Sequence, residues 1–248
     1  MIARRTRGAR NSLGRLAGRP LSFLLAVVAT PALAGGQLAT REAPLRFGIE
    51  YARATPVGEF RDVTGEASGF ASWLALPLSG TSWLGLIGEF SVLTVPERSL
   101  DLPAIIPGVD ATVGQRTTLT FVGVGPRLET RAGRVSLGLT LMPGFTRVIT
   151  DVNAVIRSGE AQISDVATNS EYALGLKSGL YLAVPLYLGR QSTGAGIVTG
   201  IDYTVSGRAP FPRDGSFGYD PEAGELLLDR PEVALTHWRW HVGVGLEF

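Results

Sequence analysis

The final stretch of the chain, residues 237–248, alternates strictly between two kinds of residue. Its even positions are all apolar or aromatic, whereas its odd positions carry histidine, arginine, glycine or glutamate; the stretch reads His-Trp-Arg-Trp-His-Val-Gly-Val-Gly-Leu-Glu-Phe. A period of two places successive side chains on opposite faces of a β-strand. We therefore predict a terminal strand with one apolar face and one face of small and charged residues.

The same alternation recurs upstream and predicts an all-β chain of eight strands. The predicted strands cover approximately residues 45–51, 69–78, 83–93, 117–130, 135–150, 172–188, 197–205 and 237–248. Short connections at 79–82, 131–134 and 189–191 alternate with long ones at 59–68, 96–115, 151–170 and 209–234. This regularity predicts an eight-stranded antiparallel up-and-down transmembrane β-barrel, with short periplasmic turns at one end and long extracellular loops at the other.

Period alone does not determine which face of the strands points outward. A soluble barrel of the lipocalin kind would place the leucines inside and the charges in water. Two features favour the opposite arrangement: glycine recurs in the polar phase, where it fits the crowded interior of a small barrel, and the aromatic residues of the apolar phase form a band near the loop end. The predicted membrane-interface aromatics are Tyr51, Phe90, Phe145, Tyr172, Tyr203, Trp238 and Trp240, with Phe248 at the opposite interface.

The N-terminal segment predicts export from the cytoplasm. Residues 1–20 carry six arginines and no acid, residues 21–29 are apolar, and Ala32-Leu33-Ala34 has the small residues of a signal-peptidase site. The apolar run is shorter than the ~20 residues of a spanning helix. We expect a signal peptide at 1–34 with cleavage after Ala34, a short N-terminal lead at 35–44, and an outer-membrane barrel at 45–248.

Composition narrows the classes of partner and cofactor. The chain has no cysteine, which excludes a lipid-anchored lipoprotein, disulfides and cysteine metal sites. Without the six arginines of the leader, 17 basic and 22 acidic residues remain, so the mature chain carries a formal net charge of −5. We therefore expect no nucleic-acid partner and no cofactor.

The polar phase of the strands holds the candidate functional residues. An eight-stranded barrel leaves an interior just wide enough for side chains, so charges there must pair. We predict an ion-pair and hydrogen-bond network that packs the lumen; a gated polar pore is the alternative interpretation. The predicted lumen residues are Arg46, Glu50, Glu89, Arg127, Glu129, Lys177, Asp202, His237, Arg239, His241 and Glu247.

The two histidines could also suggest metal binding or catalysis. On a strand, His237 and His241 lie roughly 13 Å apart, too far to share one ion, and we expect each to bond a carboxylate. A lipid hydrolase or deacylase would need its catalytic histidine on the lipid-facing phase, and both histidines fall on the opposite one. A protease-like site above the membrane would leave only His237 as a candidate. We expect no catalytic residue, no metal site and no enzymatic activity.

The long connections are the other place for function, because they are displayed outward on a rigid scaffold. Residues 155–163 look like a hairpin tip that extends strands five and six beyond the membrane. The apolar segment 100–107 is expected to pack over the barrel mouth or on the outer leaflet. The last connection is rich in acidic and aromatic residues, which suggests either a solvated loop or contact with lipopolysaccharide through divalent ions.

These features together resemble the small bacterial outer-membrane β-barrel superfamily that includes the OmpA transmembrane domain, OmpX and OmpW. The likeness rests on the signal peptide, the eight alternating strands, the asymmetry of the connections and the ending Gly243-Val244-Gly245-Leu246-Glu247-Phe248. It implies a bacterial outer-membrane location, a monomer, contacts with outer-membrane lipid and lipopolysaccharide, and Leu246 and Phe248 as the signal for the barrel-assembly machinery.

The resemblance implies a function only at a general level. We expect a protein of structural or surface-interaction type with a packed polar lumen and exposed loops. A narrow channel for small solutes and a lipid-modifying outer-membrane enzyme are the alternatives.

Overall fold

The computed structural model describes residues 45–78, 83–102, 109–132, 134–158, 161–188, 194–211, 213, 217–220, 225–228 and 230–247. The predicted signal peptide, the lead and Phe248 lie outside these residues. Within them, no helix is long and apolar enough to cross a membrane. The described helical structure is a single 3-10 turn, Gly58–Phe60.

Eight long strands build the body of the protein. They are β1 (Arg46–Pro56), β2 (Ala67–Pro77), β3 (Leu84–Leu102), β4 (Val109–Ala132), β5 (Val135–Ser158), β6 (Ala161–Leu188), β7 (Gly194–Ser206) and β12 (His237–Glu247). Four short strands lie between β7 and β12: β8 (Arg208–Pro210), β9 (Phe217–Asp220), β10 (Glu225–Leu228) and β11 (Glu232–Ala234).

The long strands form a closed antiparallel barrel in which each strand pairs with its neighbours along the chain. The last strand closes the barrel against the first, from Arg46 opposite Glu247 to Pro56 opposite His237. The predicted eight-stranded up-and-down barrel is therefore confirmed. We call the end that carries Arg46 and Glu247 the turn end, and the opposite end the loop end.

Two of the predicted long loops are wrong, because the strands continue through them. The first was expected at 96–115, yet β3 runs to Leu102 and β4 begins at Val109. The loop was predicted because Pro96 is unusual inside a strand. The strand pairing shifts register between Val95 and Arg98, and such an irregularity tolerates a residue that has no N–H to donate.

The second expected loop, 151–170, is also mostly strand. The pairing of β5 with β6 extends to Ser158 opposite Ala161, which confirms the predicted hairpin tip. As a result β4 and β5 have 24 residues and β6 has 28, whereas β1 and β12 have 11. Strands β3 to β6 thus project beyond the rest of the barrel at its loop end.

The barrel is apolar outside and charged inside. Outward-facing Leu174 is 81% exposed, Phe70 65% and Leu180 57%, whereas inward-facing Lys177 and Arg239 are 1% and 2% exposed. A soluble barrel would show the reverse, since exposed apolar surface is costly in water and a buried charge is costly in an apolar core. The strand phases therefore follow the transmembrane arrangement expected from the sequence.

An apolar cap closes the loop end of the interior. It is built from connections and strand ends that meet inside the barrel: Phe60, Val63, Phe211, Val233 and Leu235. The rings of Phe60 and Phe211 meet edge to face with centroids 5.1 Å apart. Gly58 has a φ of 59°, a left-handed conformation that favours glycine, and it starts the 3-10 turn that brings Phe60 inward.

Lumen aromatics pack onto glycines of the neighbouring strand. Trp73 lies opposite Gly48, and Tyr181 lies opposite Gly138. A Cβ at either glycine would overlap the facing ring. The small residue of each pair therefore provides the space in which the ring lies flat against the barrel wall.

We expect Gly138→Ala to lower the free energy of unfolding by about 2 kcal/mol, because the added methyl group overlaps the ring of Tyr181. Urea titrations of the barrel refolded into lipid vesicles measure this change. Gly88→Ala is the matched control, since its Cβ would meet no atom closer than 4.0 Å. Equal losses in the two variants would contradict the packing described for Tyr181.

Candidate functional site

The eleven predicted lumen residues all lie on the inward-facing phase of their strands. Ten of them form two groups of interacting side chains, one near the middle of the barrel and one at the turn end. The exception is His237, which lies apart under the apolar cap. The sequence pattern did not assign Trp73 and Tyr181 to the lumen. Trp73 contacts both groups, and Tyr181 belongs to the group at the turn end.

The central cluster consists of Glu89, Lys177, Asp202 and Arg239, one residue from each of β3, β6, β7 and β12. Arg239 donates from Nη1 and Nη2 to the two oxygens of Glu89 at 2.7 and 3.0 Å, and from Nε to Asp202 at 2.8 Å. Lys177 pairs with Glu89 and lies 3.8 Å from Asp202. All four side chains are at most 5% exposed, so each charge depends on its partners instead of on water.

A second layer extends the cluster toward the turn end. The Nδ1 atom of His241 lies 2.7 Å from Glu50 Oε2, and its Nε2 atom lies 3.7 Å from Asp202 Oδ2. The indole N–H of Trp73 donates to the other oxygen of Glu50 at 2.7 Å. With Glu50 included, three carboxylates face Lys177 and Arg239. A protonated His241 would make the whole assembly neutral.

The mouth group lies at the turn end and consists of Arg46, Arg127, Glu129 and Tyr181. Glu129 accepts hydrogen bonds from Arg46 Nη1 at 2.7 Å, from Arg127 Nη2 at 3.0 Å and from the Tyr181 hydroxyl at 2.8 Å. Arg127 also donates from Nε to the Tyr181 hydroxyl at 2.6 Å, and its guanidinium lies 5.1 Å from the centroid of Trp73. The mouth group is therefore held by one carboxylate shared among several donors.

Glu247 lies at the edge of the mouth. It is 3.6 Å from both Arg46 and Arg131, beyond hydrogen-bonding distance. It belongs to the mouth electrostatically but contributes no direct hydrogen bond to another described side chain.

The space between the two groups is nearly filled. A cavity of about 20 Å³ remains there, lined by residues of both groups such as Glu50, Glu89 and Arg127. This volume is enough for roughly one water molecule. The lumen is thus closed at the level of the central cluster.

His237 does not bond a carboxylate as the sequence interpretation expected. Its side chain is buried, its ring centroid lies 6.4 Å from that of Phe60, and its Nδ1 atom has no hydrogen-bond partner among the described residues. Among the described residues, the neighbour of His237 is Phe60 of the apolar cap, which comes from a connection without a periodic pattern.

Sequence reasoning missed Trp73 and Tyr181 as lumen residues. The sequence interpretation assigned neither residue to a face, although each lies in the phase of small or polar residues of its strand. The available signal was the facing glycine on the adjacent strand, Gly48 or Gly138. That signal depends on the register between strands, which one strand's pattern does not supply.

The predicted interface aromatics that the structure describes face outward. Tyr51 meets Trp240 edge to face at 6.0 Å, and Tyr203 lies 4.5 Å from Trp238 between ring centroids. Phe90 and Tyr172 are exposed, and Phe145 is half-buried. Leu246 is also outward and exposed, whereas Phe248, the other half of the predicted assembly signal, lies outside the described residues.

The chemical capacity of the arrangement consists of its charges and hydrogen bonds. In the part of the chain that the structure describes, no three or more His, Asp or Glu side chains are grouped as metal ligands. The ring of His241 is not a partner of Thr199, because the Thr199 hydroxyl donates its hydrogen bond to the backbone carbonyl of His241.

No family model matches this chain, and no curated protein matches it. Among solved structures, the chain is similar to Ail, the attachment invasion locus protein of Yersinia pestis, with 16% identity, a TM-score of 0.39, and coverage of 83% of this chain and 97% of that one. It is also similar to a major outer membrane protein from Thermus thermophilus, with 15% identity, a TM-score of 0.41, and coverage of 82% and 99%.

A third similar structure is Neisserial surface protein A, with 11% identity, a TM-score of 0.38, and coverage of 84% of this chain and 100% of that one. At these identities and TM-scores, the three similarities do not establish a function for this chain.

We expect Arg239→Met to lower the free energy of unfolding by about 3 to 5 kcal/mol, because it leaves Glu89 and Asp202 buried without their main partner. Urea titration of the refolded barrel measures the loss. Arg53→Met is the matched control, since Arg53 pairs with Glu66 at the protein surface and its loss should change stability little. Similar losses in both variants would show that the central cluster does not determine the stability of the barrel.

Proposed function

We propose that this chain is a bacterial outer-membrane barrel of structural or surface-interaction type, monomeric, with a closed lumen and with its loop end facing the exterior of the cell. The observation that carries the proposal is the combination of an exposed apolar exterior with a central cluster that closes the interior. Lipid is the solvent that suits such an exterior, and a filled interior does not suit an open pore.

The outward surface supports contact with lipid on both sides of the apolar belt. At the loop end, paired aromatics such as Tyr51 and Trp240 provide the amphipathic rings that favour a membrane interface. At the turn end, the side chain of Trp83 is exposed. The export signal predicted at 1–34 and the position of both barrel ends at the turn end support a periplasmic turn end.

Two arginines at the loop end support an interaction with lipopolysaccharide. Arg53 lies beside Trp240 in the strand pairing and faces outward. Arg147 also faces outward, and its guanidinium lies 5.6 Å from the ring centroid of Tyr172. Cations beside the aromatic residues of a membrane interface are suited to the phosphate groups of an outer leaflet.

The projecting part of β3 to β6 supports a role in surface interaction. It extends the barrel wall well beyond the ends of β1, β2, β7 and β12. Extended strands on a closed barrel provide a rigid surface for contact with an external partner. The proposal includes no catalytic activity, and neither a conducting channel nor a lipid-modifying enzyme has a specific contact in the described residues that favours it.

Membrane location is tested by expressing the full chain and fractionating the cells. We expect the protein in the outer-membrane fraction and a heat-dependent shift in its electrophoretic mobility, because a closed barrel resists detergent until it is heated. Recovery as a soluble periplasmic protein without detergent would overturn the proposal.

Closure of the lumen is tested by conductance in planar bilayers. We expect the purified wild-type barrel to give no reproducible single-channel steps, since the cavity at the central cluster holds roughly one water molecule. Steps that disappear when bulky residues replace Gly179 or Gly200, which face the cluster, would favour the channel interpretation instead.

A further inference from the structure

Within the described residues, the turn end of the lumen has no counterpart of the apolar cap at the loop end. Two cavities of about 220 and 450 Å³ lie there, and Arg46, Arg127 and Arg131 line both of them. Trp73, Arg134 and Glu247 contribute to the first, and Glu129 to the second. We call this space the vestibule.

The vestibule carries an excess of positive charge. Four guanidinium groups line it, from Arg46, Arg127, Arg131 and Arg134, whereas its described carboxylates are those of Glu129 and Glu247. Two positive charges therefore remain without a matching carboxylate among the described lining residues. In a chain whose predicted mature form is acidic, this local excess is opposite in sign to the whole.

The hydrogen-bonding capacity of Glu129 is already used. It accepts from Arg46, Arg127 and Tyr181, so Arg131 approaches it no closer than 3.6 Å. The side chain of Arg131 is 58% exposed, and Arg134 is exposed and makes no ion pair with another described residue. Within the described part of the chain, Arg131 lies 3.6 Å from Glu129 and Glu247 without a direct hydrogen bond to either, and Arg134 has no carboxylate partner.

The vestibule ends blindly. The central cluster closes the lumen above Arg127, where the remaining cavity is about 20 Å³. An anion that enters from the turn end therefore meets a wall of paired charges and does not pass through. A blind cavity with surplus guanidinium groups has the properties of a binding site and not those of a conduit.

Small residues give the cavity its room. Gly194, Ala195, Gly196 and Gly245 line one side of it, and Trp73 and Pro185 supply an apolar wall. A tetrahedral anion can thus approach the guanidinium groups while a small organic substituent rests on the apolar side.

We propose that the vestibule binds a phosphate group. Arginine forks match phosphate oxygens with paired hydrogen bonds, and two unmatched guanidinium groups suit a dianion. The phosphate belongs either to a soluble periplasmic phosphate compound or to the headgroup of an anionic phospholipid, since Arg131 and Arg134 lie at the β4–β5 turn near the edge of the membrane. This inference goes beyond the proposed function, which requires no ligand at the turn end.

The test uses the mature chain refolded in a detergent that contains no phosphate, titrated calorimetrically with inorganic phosphate at constant ionic strength. We expect one saturable site whose affinity falls about tenfold or more in the double variant Arg131→Gln, Arg134→Gln, as for loss of charge-assisted hydrogen bonds. The double variant Arg61→Gln, Arg208→Gln removes two exposed arginines from the loop end and should bind phosphate as the wild type does.

Circular dichroism and the heat-dependent gel shift verify that each variant is folded. If the double variant does not fold, Arg134→Gln alone replaces it, because Arg134 makes no ion pair among the described residues. The absence of saturable binding, or an affinity unchanged by removal of these arginines, would overturn the proposal. A loss of equal size in the loop-end variant would also overturn it, since that result shows a diffuse charge effect.

Two further titrations distinguish the sources of the phosphate, with the barrel in nanodiscs of phosphatidylcholine or of phosphatidylglycerol. If a soluble phosphate compound is the occupant, both preparations bind inorganic phosphate equally. If an anionic headgroup is the occupant, phosphatidylglycerol competes and weakens the binding of added phosphate. Either result supports the vestibule as a phosphate site and identifies where the phosphate comes from.

Discussion

The cost of placing charges in a narrow, nearly dry interior governs the organisation of this barrel. Eight strands enclose a space that side chains fill, and the ions of the central cluster are too far from water to be hydrated. Arg239 illustrates the solution: its three donor nitrogens reach two carboxylates from different strands. The contacts of Arg239 depend on the position of each residue in its strand, on the register between strands and on the number of strands in the barrel.

The exterior of the barrel is apolar and suits an apolar solvent, in contrast to the charged interior. Outward leucines and aromatics do not contact one another across the barrel, because the interior lies between them, and the environment proposed for these side chains is lipid. Stability of the interior therefore depends on different interactions at different heights. Apolar packing seals the loop end around Phe60 and Phe211, ion pairs fill the middle, and shared donors around Glu129 hold the turn end.

Strand phase was predictable from the sequence because it depends only on alternation along each strand. That is why Glu89, Lys177 and Asp202 could be assigned to the interior before any pairing was known. Which of them touch depends on register between strands, and Lys177 and Arg239 lie 88 and 150 residues from Glu89 in sequence. A local pattern does not contain that information.

The errors of the sequence-based prediction have the same origin. Prolines indicated a loop where β3 and β4 in fact continue, since a register irregularity at Pro96 absorbs the missing donor. His237 was expected beside a carboxylate, but the side chains above it come from segments with no periodic signal.

The seam between β1 and β12 also has a consequence for how the molecule is made. Its paired residues are separated by up to about 200 positions in sequence, so the closing contact is the least local one in the barrel. Until the final strand arrives, β1 keeps one unpaired edge and Arg239 is missing from its acidic partners. Pairing of β12 therefore does two things at once: it completes the backbone hydrogen bonds of the barrel and brings Arg239 to Glu89 and Asp202. Without that pairing, β1 would present a free strand edge of the kind that promotes aggregation.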